Sequence, residues 1–395
     1  MAGKAKSAGK IKKKGGIMSA KKGKAKENEE EILALKAAAI KKVKADYPLQ
    51  CKKFITEPLQ LVVKRIDKAI QAMEDIDKII ITSYTLIPNE IWALYYSFEA
   101  YTYLTSLCLW TSPIDSCGLD AIAKFVINHP TITILHLIDC KITPTMSPHL
   151  AHIVKDSKTL TTLVLDHNGV GSLGAVNVFM GIRANPANPG ILKTLSMRYC
   201  DVGSKAADAI ATTIASNTGL IDVDLSGNTI GDDGLPVIAK SLASNTNLKN
   251  LRLSANNIQN REMGYSSYQP PPGVTMQIQR GGSSPTTPIN PLSQNTSINT
   301  LCSILSVENT GIAMIDLSGN HIGQGGGQAI LDMLKAKKPQ AQSKRAEALQ
   351  IEISERMGDE MYGDVCDLND VMDELAKKNA KGAGKKGKGG KKGKK

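Results

Sequence analysis

Aromatic residues are scarce in this chain: Phe, Trp and Tyr together make up 4% of 395 residues. A core of Leu, Ile, Val and Ala fits that scarcity better than an aromatic-rich enzyme pocket does. No apolar run approaches the roughly 20 residues that cross a bilayer, so no membrane span is expected. The first 30 residues hold no hydrophobic stretch of the secretory kind, so no signal peptide is expected either. The seven cysteines (51, 108, 117, 140, 200, 302 and 366) are odd in number and show no paired spacing. Reduced, mostly buried thiols in a soluble intracellular protein are the expectation.

Catalytic signatures are missing too. There is no G-x-x-x-x-G-K-[ST] loop to cradle phosphate, and the glycines around Gly323 and Gly325 read as turn material. No G-x-S-x-G elbow or Cys/His arrangement stands out. His149 and His152 lie three apart on an expected helix, with no carboxylate or cysteine at ligand spacing. These absences leave an expectation of no catalytic residue, no metal and no cofactor.

Charge is plentiful but segregated. Residues 1–26 hold ten Lys and no acid, and residues 377–395 hold ten more and no acid. The whole chain is +12, so removing these 20 charges leaves residues 27–376 at −8. An acidic body between two basic ends is hidden by the overall balance.

The body repeats. Leu220-x-x-Val223-x-Leu225-x-x-Asn228-x-Ile230 fits the pattern L-x-x-L-x-L-x-x-N-x-L, and Leu248, Leu251, Leu253, Asn256 and Ile258 repeat it 28 residues later. The first position of the frame falls at Ile76, Leu104, Ile132, Leu160, Leu192, Leu220, Leu248 and Ile312. The steps are 28, 28, 28, 32, 28, 28 and 64, the last being one period plus a 36-residue insertion. A chance match at one repeat is easy, whereas a fixed frame over eight is not. Each x-L-x-L-x segment reads as a short strand with its Leu side chains inward, stacking on the next into a parallel sheet. The ninth position holds Asn168, Asn228, Asn256 and Asn320, able to bond the backbone that each bend leaves unpaired. Ser112, Cys140 and Cys200 replace it elsewhere, and Tyr84 departs from it, which suggests a cap-like first repeat. The second half of each repeat has helical spacing, as at Leu235, Ile238, Ala239 and Leu242.

The segments 225–235 (Leu-Ser-Gly-Asn-Thr-Ile-Gly-Asp-Asp-Gly-Leu) and 317–323 (Leu-Ser-Gly-Asn-His-Ile-Gly) resemble the leucine-rich repeat of the ribonuclease-inhibitor type. The resemblance covers roughly 76–335. It implies an α/β solenoid, a horseshoe of about eight β-α units with a parallel sheet on its concave face and helices on its convex face. It extends to ribonuclease inhibitor, the GTPase activator of Ran, NOD-like receptors and leucine-rich-repeat subunits of ciliary axonemes, so it speaks for a fold more than for one function.

Five segments are expected. Residues 1–26 form a disordered Lys-rich tail, and 27–75 a helical N-terminal cap with helices over 27–46 and 55–74. The second helix carries an apolar stripe of Leu61, Val62, Ile66, Ile70 and Met73. The solenoid runs over 76–338, interrupted by a disordered insertion at 260–295 that holds six of the chain's prolines. Ser284-Pro285 and Thr287-Pro288 in that loop have the form of proline-directed phosphorylation sites. Residues 339–376 read as an acidic helical flank, with helices over 341–357 and 367–378. Residues 377–395 read as a disordered Lys/Gly tail.

The third, fifth and seventh positions of each strand motif line the concave face. The first four repeats put Ile80, Cys108, Trp110, Ile134, His136, Ile138 and Val164 there, and the later ones contribute Asp166, Arg198, Asp224 and Arg252. An apolar patch of this kind calls for a cover, either a protein partner centred on Trp110 or the N-terminal flank folded into the concavity. The tails, with Lys12, Lys13, Lys14, Lys385, Lys386, Lys391 and Lys392, lack aromatics that stack on bases, so a salt-dependent attraction to polyanions is expected: nucleic acid, acidic tubulin tails or anionic membranes. Lys/Gly tails on such a scaffold resemble axonemal subunits of the nexin–dynein regulatory complex and radial spokes. The resemblance implies a cytoskeletal, ciliary location and tubulin or axonemal protein partners. The alternatives are a Ran-type GTPase activator and a nuclear or nucleolar scaffold. The first is disfavoured because residues 66–182 contain no Arg to serve as a finger and the chain ends in Lys rather than acid.

Overall fold

In a computed structural model, inward aliphatic side chains at 28-residue intervals stack the chain into one continuous parallel sheet. The structure describes residues 16–187, 190–216, 219–260, 296–306, 311–342, 348–355 and 357–386, with side chains from 32 to 379. Among these, nine strands lie in sequence order: β1 (Lys78–Thr82), β2 (Ser106–Trp110), β3 (Ile134–Ile138), β4 (Thr162–Val164), β5 (Thr194–Ser196), β6 (Asp222–Asp224), β7 (Asn250–Arg252), β8 (Met314–Asp316) and β9 (Gln350–Glu352). Every neighbouring pair is parallel, and the register sets Ile79, Leu107, Leu135, Leu163, Leu195, Val223, Leu251, Ile315 and Ile351 side by side. The eight first-position residues, Ile76 to Ile312, are all buried.

Helices return the chain along the other face: α3 (Pro88–Phe98), α4 (Ser116–Asn128), α5 (Ser147–Asp156), α6 (Gly171–Arg183), α7 (Ala207–Ala215), α8 (Gly231–Leu242), α9 (Ser297–Leu305) and α10 (Gly323–Gln342). Each packs on the next, so Leu119, Ile122, Phe125, Phe179, Ile238 and Leu301 form one core with the strand side chains. Strands sit about 4.8 Å apart and packed helices about 8–10 Å apart, so the helical side of each coil is the wider one and the sheet curves inward.

The Asn column does what its spacing predicts. Asn228 Oδ1 accepts from the N–H groups of Cys200 and Val202, both at 3.0 Å, and its Nδ2 donates to Met197 O at 2.8 Å and Leu225 O at 2.7 Å. Asn168 makes the same bonds to Cys140 and Ile142 behind it, and Asn320 to Asn256 and Ile258. Cys200 stands in for Asn with a thiol donating to Leu165 O at 3.2 Å, and Ser112 donates to Trp110 O at 3.0 Å. Burial pushes the Cys140 and Cys200 thiols up to about 12. Tyr84 does not turn inward and instead donates to Glu90 at 2.6 Å.

The N-terminal cap consists of α1 (Gly16–Lys53) and α2 (Gln60–Ala72). Ile40, Val43, Tyr47 and Cys51 of α1 and Val62, Ile66 and Ala69 of α2 are buried, with α1 packed against α3. The Tyr47 hydroxyl accepts from Leu59 N at 3.0 Å and ties the two helices together. Met73 does not join the expected stripe: it ends α2 in the left-handed conformation and is 78% exposed.

Five expectations about the ends need correction. Helix α1 starts at Gly16, so the Lys-rich tail expected over 1–26 is helical in its second part, where Ala and Lys favour the helix. Residues 341–357 are not one helix: α10 ends at Gln342, and Gln350-Ile351-Glu352-Ile353 alternates as a strand and closes on β8, with Leu317 N donating to Glu352 O at 2.8 Å. The boundary expected at 338 therefore falls inside α10, and the segment expected as a purely helical flank supplies a ninth strand. Helix α11 (Asp359–Lys386) runs past 377, supported by Lys377 with Asp373 and Lys378 with Glu374 at helical i,i+4 spacing. Lys385 and Lys386 are thus helical, whereas Lys12, Lys13, Lys14, Lys391 and Lys392 and the insertion with its Ser-Pro and Thr-Pro sites lie outside the described residues. The insertion does enter between the strand and the helix of one coil, after Asn260 and before Thr296.

Replacing Asn228 by Ala strands the N–H groups of Cys200 and Val202 and the carbonyl of Met197, while Leu225 O keeps Asn256, and costs about 3–5 kcal/mol. Asn228→Cys, which copies position 200, should lose clearly less. Urea unfolding followed by circular dichroism tests this, and equal losses in the two variants would show that the column is not held by these bonds.

Candidate functional site

The concave face divides into two chemistries. Alternation along each strand sends the third, fifth and seventh positions to this face and the fourth and sixth into the core. In the first coils, Ile80 is 42% exposed and Trp110 39% exposed, while Ile134, His136, Ile138 and Val164 are half-buried. Ile80 and Trp110 keep this exposure among the described residues, so the described side chains of α1 and α2 do not bury them. Cys108, expected to be exposed, is buried at 4%. It is a short side chain flanked across the sheet by Ile80 and His136 and along its strand by Trp110, and these larger neighbours close over it.

His136 sits centrally in this apolar floor. Its Nδ1 is buried without a hydrogen-bond partner. Burial lowers its pKa below the ordinary 6.5, the Asp166 carboxylate opposes that, and the Lys78 ammonium adds to it. The imidazole is therefore neutral near pH 7.

From Asp166 onward the face is polar and its charges are already engaged. Asp166 Oδ1 accepts from Ser196 Oγ at 2.6 Å and from Arg198 N at 3.0 Å. Asp224 Oδ1 accepts from Ser226 N at 3.0 Å and Ser226 Oγ at 2.6 Å, and Asp316 holds Ser318 in the same way. Arg252 pairs with Asp222 at 2.5 Å, and Arg198 lies 3.9 Å from Asp224. The Asp-Leu-Ser repeats thus build a largely satisfied ladder, in which Arg198 lies against Asp224 and Arg252 is held by Asp222.

One functional column escapes the sequence pattern. The eighth residue of each of the first eight coils is left-handed: Ser83, Thr111, Asp139, His167, Tyr199, Gly227, Ala255 and Gly319, with φ between 50° and 71°. This turn throws its side chain onto the rim above the strands. For Thr111 at 51° the cost is real, because β-branched residues resist that region. On the rim His167 and Tyr199 stack at 4.8 Å between centroids and 13° between planes, with the Arg198 guanidinium 5.9 Å from the Tyr199 ring. A Cβ at Gly227 would lie 2.3 Å from that ring, so only glycine leaves room for Tyr199 to lie flat. The aromatic pair at 167 and 199 was visible as residues; only the turn's handedness shows that both face out together.

Among the described residues no three His, Cys, Asp or Glu side chains are placed to hold a metal ion. His149 lies 3.1 Å from Ser116 Oγ and 3.5 Å from Asp120, and His152 lies 3.2 Å from Asp156. No helix among the described residues is long and apolar enough to cross a membrane.

Comparison with known proteins meets this geometry in the repeats. The family model described as "Leucine Rich repeat" matches residues 156–179, 216–239 and 315–331. The chain is 28% identical over 134 residues to NACHT, LRR and PYD domains-containing protein 12 of Homo sapiens, covering 33% of this chain and 12% of that protein. It is 31% identical over 100 residues to ribonuclease inhibitor of Sus scrofa, covering 25% of this chain and 21% of the inhibitor. The match thus spans less than a quarter of either relative. An internalin structure from Listeria monocytogenes aligns over 73% of this chain and 84% of its own, at 13% identity and a TM-score of 0.27. Leucine-rich repeats of this kind support a role as a protein–protein interaction scaffold. The repeat matches, the unbroken parallel register and one helix per 28-residue coil together show an α/β leucine-rich-repeat solenoid, similar to the ribonuclease-inhibitor type.

Proposed function

We propose that this protein is a non-enzymatic scaffold that docks a protein partner on the concave face of its first four coils. One observation carries the reading: Ile80 and Trp110 stand 42% and 39% exposed on a floor of half-buried Ile134, Ile138 and Val164. Large exposed apolar side chains gathered on one curved face are what a partner's desolvated anchor needs, and Trp is enriched among residues that dominate such interfaces. The polar half of the face, with its acids and arginines already paired, offers orientation rather than burial.

The finer reading is a structural subunit of a ciliary or flagellar axonemal complex, its body on a protein partner and its Lys-rich ends on the acidic tails of tubulin. Ten Lys in 1–26 and ten in 377–395, against an acidic body, support an electrostatic contact of this sort. Microscopy of the tagged protein distinguishes cilium from nucleus.

Three measurements test these readings. Trp110→Ala should leave the circular dichroism spectrum unchanged and weaken the partner by about 2 kcal/mol, roughly 30-fold; unchanged affinity in titration calorimetry would remove the concave-face site. Covering His136 desolvates it further, so binding favours its neutral form. Affinity should be level above about pH 6.5 and fall as pH drops through the free protein's lowered value, and His136→Gln should flatten that slope. Finally, co-sedimentation with microtubules should be lost when subtilisin removes the tubulin tails, and binding unaffected by that treatment would exclude the tail mechanism.

A further inference from the structure

The two open ends of the sheet are finished differently. At the C-terminal end, the outward backbone of β9 is closed by one side chain: Ile351 N–H donates to Asn369 Oδ1 at 3.1 Å, and Asn369 Nδ2 donates to Ile351 O at 2.6 Å. The amide imitates a neighbouring strand and leaves no room for a real one.

At the N-terminal end β1 pairs only with β2. Ser106 N donates to Asp77 O at 3.1 Å and Ser83 N to Trp110 O at 3.0 Å. In a parallel ladder this turns alternate residues toward β2, namely Asp77, Ile79, Ile81 and Ser83, and points the N–H and C=O groups of Lys78, Ile80 and Thr82 off the edge. Among the described residues nothing bonds these outward groups. Beside them lies a cavity of about 330 Å³ between α2 and β1, lined by Leu61, Val62, Arg65, Ile66, Ile79 and Ile80. Its walls are largely apolar, aliphatic with Phe98, and Arg65, Asp77 and Lys78 supply its polar side. Lys36 pairs with Asp75 at 2.5 Å and Arg65 approaches Asp77 at 3.7 Å, while Lys78 has no carboxylate in ion-pair reach among the described residues.

We propose that the open edge of β1 receives an extended segment of a partner protein as a further strand, with an aliphatic side chain in the cavity beside α2 and an acidic side chain at Lys78. The unpaired backbone row selects a strand-shaped occupant, since only an extended main chain offers donors and acceptors at that repeat. The cavity selects the aliphatic side chain. The uncompensated ammonium selects the acid. A second copy of this chain fits poorly, because pairing β1 with β1 brings together the same cations, Lys36, Arg65 and Lys78, from both molecules. This site uses a main-chain edge; it shares Ile80 with the concave-face site but does not involve Trp110.

An end-capped peptide of alternating Thr and Val, labelled with an uncharged BODIPY dye, serves as the probe on the full-length protein, because it carries no charge to attract the Lys-rich ends. Fluorescence anisotropy is read for the probe and for a series N-methylated at one residue each. Losing one backbone hydrogen bond should weaken binding about 5–10-fold at every second residue, with little change at the residues between. Hydrogen exchange at Lys78, Ile80 and Thr82 should slow when the probe is added. Replacing one Thr of the probe by Glu should tighten binding about 2–5-fold, and Lys78→Glu should reverse that preference toward a Lys-bearing probe. Trp110→Ala should leave probe binding unchanged, so this result and the concave-face test fail independently. A probe that does not bind, or an N-methyl series without the alternation, overturns the proposal.

Discussion

Each buried asparagine of the ninth column holds two coils together, and the rest of the structure depends on that grip. A polypeptide that turns back on itself every 28 residues leaves N–H and C=O groups at the inner bend, out of reach of both sheet and water. Asn228 meets four of them at once, two with its oxygen and two with its nitrogen. The side chain thereby fixes the distance between successive coils at the spacing of paired strands. Once that spacing is set on the strand side, the wider helices on the other side force curvature, and curvature makes a concave wall. The candidate binding face is a consequence of the bend's hydrogen bonding before it is a matter of surface residues.

The two halves of that wall follow from what each coil contributes at its fifth and seventh positions. Where these are Ile80, Trp110, Ile138 and Val164 the floor is apolar and its one titratable ring, His136, is held neutral. Where they are Asp, Ser and Arg, the side chains bond to one another along and across strands, as Asp166 with Ser196 and Arg252 with Asp222. A paired charge must be released before it serves a partner, whereas an exposed Trp or Ile gains simply by being covered. This is why the N-terminal half is the better docking surface although both halves have the same backbone.

Much of this was legible in the sequence, because a period of 28 with aliphatic residues at fixed offsets leaves little freedom: all eight first-position residues are buried, and the first eight strands fall where the frame puts them. The exceptions have physical causes. Strand β9 was hidden because its Gln350-Ile351-Glu352 stretch lies in an acidic segment that also reads as helix, and only the unsatisfied edge of β8 decides between the two. The exposure of Cys108 depends on the sizes of Ile80, His136 and Trp110 around it, which a position in a repeat does not reveal. The left-handed eighth column carries residues as unlike as Thr111, Tyr199 and Gly227, so its shared conformation comes from the bend itself and not from any residue preference.

If the coil-to-coil grip is the governing constraint, one whole coil is removable. Deleting residues 220–247 takes out one 28-residue period and leaves the bonds of the next coil intact in kind. Nuclear Overhauser contacts in the shortened protein give the most direct test. The account predicts a folded chain in which Leu195 packs beside Leu251, with a single cooperative unfolding transition. A collapsed or aggregated product, or a folded one in which Leu195 and Leu251 are not neighbours, would contradict it.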